Sequence, residues 1–419
     1  LNPDTPVITG VGAVSPFGVG RAAYFRGLKA ALPATGPITR FDSSSLKSRV
    51  VAEARDFDPA DHVHPDELKR VPRVVPMAIA AAREAFAEAG VDLAGLSLES
   101  RRKTAVIVGT GAGGIDFAEA QYAHFFGGEY KKATPYAVSS SFVGMLSSEI
   151  SIALGLRGAS HVLSTGCTSS TDAIGYAARL VRSGAVERVL TGGAEACITP
   201  GILAGFDRMK VTSTAFNAEP LRASRPFDRD RDGFVLGEGA WMFVLESYRS
   251  AREAGRRIYA AVGGYGSTCE AYHRVKVEPS GEEAARALQE ALADGGTACE
   301  EVDYVNLHGT ATEMNDVVET LALKRLFGAR APRVATSATK SLIGHPQGAS
   351  GAAGVAAILY AMETGEIPPT ANLENPDPRC DLDYTPRHAA RREVRIALAN
   401  CLAFGSKNSA LLLRRTDVA

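Results

Sequence analysis

Short apolar runs recur along the chain between alanine-rich stretches, and this alternation restricts the fold to layered α/β architectures. The runs read PVITGVGAV near the start, TAVIVGT at 104–110, HVLSTG at 161–166, RVLTGGA at 188–194 and WMFVLES at 241–247. Helices are predicted over 75–89 and 168–183, the second ended by Gly184. A second series starts near Ile258 with YAAVGGYGS, VDYVNLHG and RVATSAT, then a small-residue helix over 349–362 and a closing strand pair, IALANCLAF and SALLLRR. The chain thus reads as two α/β halves in succession, 1–255 and 256–419. Residues 365–386 carry five prolines and are expected to form a long ordered loop, because a strand pair follows them.

A length of 419 residues suits two closely packed domains or one large α/β unit. With a formal net charge of -1 there is no global basic field to condense on nucleic acid or an anionic membrane, so an acidic partner must be met by a local patch. The apolar run Gly351 to Met362 is too short to span a bilayer, and LNPDTPVITG lacks a basic segment followed by an apolar one. A cytosolic protein is expected. The six cysteines show no CxxC spacing, so neither disulfides nor a zinc knuckle are expected. All but Cys167 read as small buried apolar residues.

Chemistry concentrates in HVLSTGCTSSTDAIGYAARLVRSGA, where a buried strand enters a Gly-Cys turn and then a helix. Cys167 falls at the helix start, where unpaired N–H groups and the dipole favour a thiolate. On that reading the cysteine is nucleophilic without a partner base; the competing reading is a structural cysteine in a tight turn. Two histidines shift the balance towards catalysis. His308 opens HGTATEMND after an apolar strand, and His345 lies in ATKSLIGHPQGASGAAG between a strand and a helix. Gly109, Gly111 and Gly114 fit GxGxxG as in dinucleotide-binding proteins, but no acidic residue ends a second strand at the expected place.

At these residues the sequence resembles the β-ketoacyl synthase family. The likeness runs from VITGVGAVSPFG to CLAFGSKNSALLL through ASRPFDRDRDGFVLGEGAWMFVLE, HGTAT and TKSLIGHPQGASG, in family order. It implies a duplicated thiolase-like fold of five layers, α-β-α-β-α, in an intimate dimer, with no metal or intrinsic cofactor and with phosphopantetheine carried by an acyl carrier protein. The resemblance also implies that Cys167 is the acyl-carrying nucleophile and that His308 and His345 promote decarboxylation of a malonyl extender. Lys340 would support the histidines, with the Glu319 carboxylate held near it. Phe404 would be a gating residue whose backbone N–H joins that of Cys167 in an oxyanion hole, and Thr310 and Thr312 would hold the phosphopantetheine arm.

STGCTSSTDAIGYA, ITPGILAGFDRMKVTST and NDVVETLAL are similar to the ketosynthase subunit of bacterial type II polyketide synthases. Such a subunit pairs with a chain-length-factor homologue lacking the cysteine, so this chain would be the catalytic partner, with a homodimer as the alternative. Fatty-acid elongation is the alternative function. Ala112 stands where elongating synthases often carry a larger apolar gate, which implies a longer acyl channel. AYHRVKVEPSG departs from the family's AYHMT and leaves the role of His273 open; Arg274 and Lys276 read as a solvated loop or as contacts to a phosphate or carrier protein. Further candidate carrier contacts are Lys69, Arg70 and Arg73 in DELKRVPR, with Arg208 and Lys210 in FDRMK. Two readings from other classes, a non-catalytic partner subunit and a thiol hydrolase, are disfavoured by the intact set Cys167, His308, His345 and Lys340.

Overall fold

The computed structural model describes residues 1–416. Five strands of the first half, β1 (Pro6–Ser15), β2 (Thr104–Gly109), β3 (Ser160–Leu163), β4 (Arg188–Glu195) and β5 (Gly239–Ser247), lie side by side in the order β1-β5-β4-β2-β3. The second half supplies β6 (Ala260–Cys269), β7 (Tyr304–Asn306), β8 (Ala335–Ser337), β9 (Ile396–Ala403) and β10 (Lys407–Arg414), in the order β6-β10-β9-β7-β8. These orders are the same once the chain position of each strand is compared. The pairings repeat as well: β1–β5 and β5–β4 are antiparallel, β4–β2 and β2–β3 parallel. In the second half β6–β10 and β10–β9 are antiparallel, β9–β7 and β7–β8 parallel. The halves meet where Val7 faces Ala261 and Ile8 faces Ala260 across β1 and β6.

Helices occupy three layers around these sheets. Those used below are α1 (Val74–Glu88), α2 (Ile115–Phe126), α3 (Met145–Leu154), α4 (Ser169–Arg182), α5 (Pro200–Met209), α6 (Glu282–Asp294), α7 (Glu313–Phe327), α8 (Lys340–Ile343) and α9 (Ser350–Thr364). Strand alternation sorts the side chains between layers. On β2, Ala105 and Ile107 join the core around α4 and α9, whereas Val106 and Val108 join the core beneath α1 and α3. On β10, Leu411 and Leu413 face α4 and α9, whereas Ala410 and Leu412 face α6 and α7. The result is the five-layer, duplicated thiolase-like α/β fold anticipated from the sequence.

The small residues of α9 follow from its place. From Ser350 to Met362 every residue is buried, because the helix lies between two sheets and beside α4. A Cβ on Gly351 would lie 1.9 Å from Thr171 Oγ1, so only glycine permits this approach of α9 to α4.

Three strand expectations shorten: HVLSTG contributes only His161–Leu163, in the strand Ser160–Leu163, which is not the buried strand expected. VDYVNLHG contributes only Tyr304–Asn306 to the ladder and RVATSAT only Ala335–Ser337, and the residues that follow leave the sheet to carry His308 and Lys340. The proline-rich segment is ordered: the Thr370 hydroxyl donates to the Tyr384 carbonyl at 2.7 Å, and the Tyr384 and Phe227 rings stack at 3.9 Å. Cys269, at the end of β6, is exposed and Cys299 is half-buried, so the expectation of buried apolar cysteines holds only for Cys197, Cys380 and Cys401. Among the described residues no helix is long and apolar enough to cross a membrane.

Gly351→Val should force α9 from α4 and cost about 1–3 kcal/mol, as overpacking does. A lowered thermal midpoint checks this; an unchanged one contradicts the packing argument.

Candidate active site

Gly166, at φ 72°, turns the chain from β3 into a short 3-10 segment, Gly166–Thr168, that runs directly into α4. Cys167 is thereby held at the base of a cavity of about 680 Å³ that His308, His345, Thr310, Thr312 and Phe404 also line. Its Sγ lies 3.2 Å from His345 Nε2. Burial pushes the Cys167 thiol up to about 12, against the pull of Lys340 and of the backbone N–H groups of Phe404 and of Cys167 itself. Here the expectation of a ready thiolate is corrected. Desolvation of the charged form outweighs the helix start, and the group is a thiol with a base beside it.

The second histidine is positioned through its backbone. Glu319, on α7, accepts from the N–H groups of His308 at 2.6 Å and Gly309 at 2.8 Å, and from Asn400 Nδ2 at 2.6 Å. Burial raises its carboxyl to about 7, while those N–H donors oppose the shift. No hydrogen bond joins Glu319 to Lys340; the carboxylate grips the loop that bears His308. Lys340, at the start of α8, sets Nζ 3.5 Å from His308 Nδ1. Burial lowers the Lys340 amine and drives both imidazoles well below the usual histidine value, with Lys340 adding to the effect on each. The two rings cross edge to face with centroids 5.3 Å apart.

Four contributors escaped the sequence reading. Ser350 Oγ lies 2.9 Å from His345 Nδ1 and, as a hydroxyl, is able to donate or accept there. Cys401 Sγ donates to the Cys167 carbonyl at 3.0 Å and lies 3.4 Å from His308 Nδ1. Glu195, fully buried, accepts from the N–H groups of Gly111, Ala112 and Gly348. A phosphate seated on the glycine turn would have to displace that carboxylate, which removes the physical basis of a dinucleotide site. Gln347 Oε1 lies 3.7 Å from Cys167 Sγ. No spacing rule marks these residues, because their partners are 83 to 234 positions away for all but Ser350.

A second cavity of about 190 Å³ is bounded by Ala112, Gly166, Cys197, Ile202, Phe206 and Gln347, with Gly111. Ala112 therefore lies on this smaller space and not on the main cavity. Thr310 and Thr312 share a hydrogen bond of 2.9 Å in the main cavity. Lys210, left-handed at the end of α5, lines the same cavity, as do Arg229 and Lys276. Lys276 is exposed and lines the cavity, which fits either reading of its loop. His273 Nδ1 instead accepts from the N–H groups of Val275 and Lys276, at 3.1 Å each, and fixes the turn. Lys69 and Arg70 lie outside the cavity lining and pair with Asp66 and Glu67. Arg73 is committed to the buried Glu238 at 2.9 Å, so it is unavailable to a partner.

Cys167, His308 and His345 each offer one ligand atom, all within 4.8 Å of one another. That donor set suits zinc in type, but Lys340 places an amine beside it, which opposes a divalent ion.

The profile described as "Beta-ketoacyl synthase, N-terminal domain" matches residues 5–251, and "Beta-ketoacyl synthase, C-terminal domain" matches 259–374. The chain is 40% identical over 409 residues to "3-oxoacyl-[acyl-carrier-protein] synthase 2" of Synechocystis sp., covering 98% of this chain and 97% of that protein. It is also 40% identical over 416 residues to "Tetracenomycin polyketide synthase ketoacyl synthase alpha subunit" of Streptomyces glaucescens, covering 98% of this chain and 96% of that one. Among solved structures, "The ishigamide ketosynthase/chain length factor" superposes with a TM-score of 0.90 at 35% identity, covering 98% of this chain and 99% of that one.

Because the Cys167 thiol is held near 12, its alkylation by iodoacetamide should accelerate by about tenfold per pH unit between pH 7 and 9.5. A plateau below pH 8, measured by loss of free thiol, would reveal a stable thiolate and contradict the burial argument.

Proposed function

The chain belongs to the β-ketoacyl synthase family, and we propose that it is the ketosynthase of a type II polyketide synthase, acting by decarboxylative Claisen condensation. It is a condensing acyltransferase. The observation that carries the mechanism is the 3.2 Å approach of Cys167 Sγ to His345 Nε2 in a cavity that also holds His308.

As an acyl thioester on the phosphopantetheine arm enters, His345 Nε2 takes the Cys167 proton and the thiolate attacks the thioester carbon. The N–H groups of Cys167 and Phe404 hold the oxyanion. Collapse expels the pantetheine thiolate, which receives the proton from His345, and the acyl group stays on Cys167. A malonyl thioester then enters. Its C–COO⁻ bond breaks, carbon dioxide leaves, and the bonding pair becomes an enolate. With Lys340 donating to Nδ1, His308 carries its proton on Nε2 and donates it as a hydrogen bond to the enolate oxygen. For His345 to do the same its proton must first pass from Nδ1 to Nε2, with Ser350, which had accepted from Nδ1, turning to donate to it. The enolate carbon bonds to the acyl carbonyl carbon, and collapse releases the Cys167 thiolate, which takes up one proton. The products are a β-ketoacyl carrier and carbon dioxide.

The polyketide assignment is supported by the sequence blocks around Cys167 and α5 and by the ishigamide and tetracenomycin relatives. Fatty-acid elongation stays as the second reading, because the Synechocystis enzyme is 40% identical over a comparable length. A chain-length-factor homologue is the proposed partner, with a second copy as the alternative. Support comes from the surface. Tyr122, Phe125 and Phe126 on α2, with Val138, Phe142 and Ile152, are each at least 59% exposed, and the outermost strand β3 is incompletely buried. Such a patch beside an open strand edge calls for a covering chain. The carrier protein is proposed to dock at Lys210, with Arg229 and Lys276 behind it at the cavity; Lys69 and Arg70 are secondary contacts.

Reconstitution with carrier protein and malonyl extender tests the function. Intact-mass measurement should show an acyl adduct on Cys167, then a β-ketoacyl carrier; long products that require the partner subunit support the polyketide reading. Saturable elongation of a fully reduced chain by the chain alone would favour fatty-acid synthesis. Free acid as the only product would overturn condensation. Lys210→Glu should lower carrier-dependent turnover about tenfold at low salt and less at high salt; equal losses would argue against steering.

A further inference from the structure

Among the described residues, Gln347 is the one that lines both the main cavity and the smaller one. The smaller space is otherwise walled by Ala112, Cys197, Ile202, Phe206 and two glycines. Its backbone offers little to a polar ligand, because the N–H groups of Gly111 and Ala112 are already given to Glu195. Yet the Gln347 Nε2 atom is buried and has no hydrogen-bond partner. An amide left unpaired in such surroundings is costly. The residue is also held at φ 40°, a backbone conformation that non-glycine residues seldom adopt. It is pinned there by the neighbouring Gly348, whose N–H donates to Glu195 at 3.0 Å.

We infer that the Gln347 carboxamide recognises a β-carbonyl oxygen on the acyl chain bound to Cys167, and so selects β-ketoacyl chains over fully reduced ones. The inference rests on the polyketide reading of the same site. Gln347 Oε1 is 3.7 Å from Cys167 Sγ, so its Nε2 lies near the first few carbons of any chain on that sulfur. The thioester oxygen is directed to the N–H groups of Cys167 and Phe404. The next oxygen, on the third carbon, passes the position where the two cavities meet. There the amide N–H finds its acceptor; a methylene at that carbon leaves it unpaired. A wall of alkyl groups would accept the reduced chain at least as well, so the carboxamide favours one oxidation level.

Competition between acetoacetyl-carrier and butyryl-carrier, presented in equal amounts to the enzyme with its partner subunit and malonyl-carrier, tests this. Adducts on Cys167 and first condensation products are measured by intact mass. Wild type should favour acetoacetyl by about tenfold, the value of one buried hydrogen bond. Q347L should bring the ratio close to one by accelerating butyryl and slowing acetoacetyl, and Q347E, which keeps the shape but loses the N–H donors, should lose the preference as well. A wild-type ratio preserved in Q347L, or a wild type that elongates both primers equally, overturns the role of Gln347 and leaves the condensing function standing. If both variants lose acylation by either primer, Gln347 is structural and the inference also falls. A wild type that condenses neither primer sinks the functional reading and this one together.

Discussion

The close contact between the starts of α4 and α9 is the constraint on which the rest depends. Cys167 stands two residues before α4 and His345 five before α9. The two reacting atoms meet at 3.2 Å only because these helix ends converge between the sheets. Gly351 against Thr171 sets the approach, and Ser170 Oγ accepts the Ala352 N–H at 3.0 Å to register one helix on the other. Glu195 adds a third tie from β4 to the turn that follows His345. The two halves of the chain contribute one helix each, so neither can assemble the pair alone.

Burial then decides the resting charge of the site. Cys167 is held as a thiol, both histidines are neutral, and the Lys340 amine is lowered, all by desolvation first. A neutral thiol and neutral imidazoles suit a site where charge must appear twice and transiently. The oxyanion and the enolate develop in a low-dielectric space, where N–H groups fixed by the fold act without reorganising. Glu319 belongs to the same logic. Rather than meeting a substrate, it orders the His308 loop through two backbone N–H groups.

Much of this was legible in the sequence, and the reason is local. Strands, the Gly-Cys turn and the histidines at strand ends are written in periodicity and in glycines flanking a few residues. The protonation state of Cys167 was not, since a helix start is visible in the sequence whereas full burial is a property of the packed whole. Cys401 read as an ordinary apolar cysteine because its neighbours, Cys167 and His308, are 234 and 93 positions away. Among the basic residues, charge alone could not separate Lys210, which lines the cavity, from Arg73, which is spent on a buried Glu238. The GxGxxG match failed for a similar reason: its amides have a carboxylate partner that sits on another strand.

The smaller cavity and the apolar surface share a structural element, and this ties chain length to partnership under the heterodimer reading. Ala112 and Gly111 bound the cavity, and the same loop enters α2 at Ile115. Ten residues later, α2 displays Phe125 and Phe126 on the outside. On the reading that the acyl chain on Cys167 extends past Gln347 into it, a space of about 190 Å³ takes only a short chain, and a longer one has to push past the walls formed by Ala112, Ile202 and Phe206. A chain that covers Phe125 and Phe126 rests on α2, whose Glu119 accepts from Thr199 and Gly201 at the start of α5, the helix that carries Ile202 and Phe206. Two partners with different contact surfaces would fix α2 differently, and the depth available to the acyl chain would change without any substitution near Cys167. The wall at Ala112 would not follow such a change, because Glu195 accepts its N–H and that of Gly111.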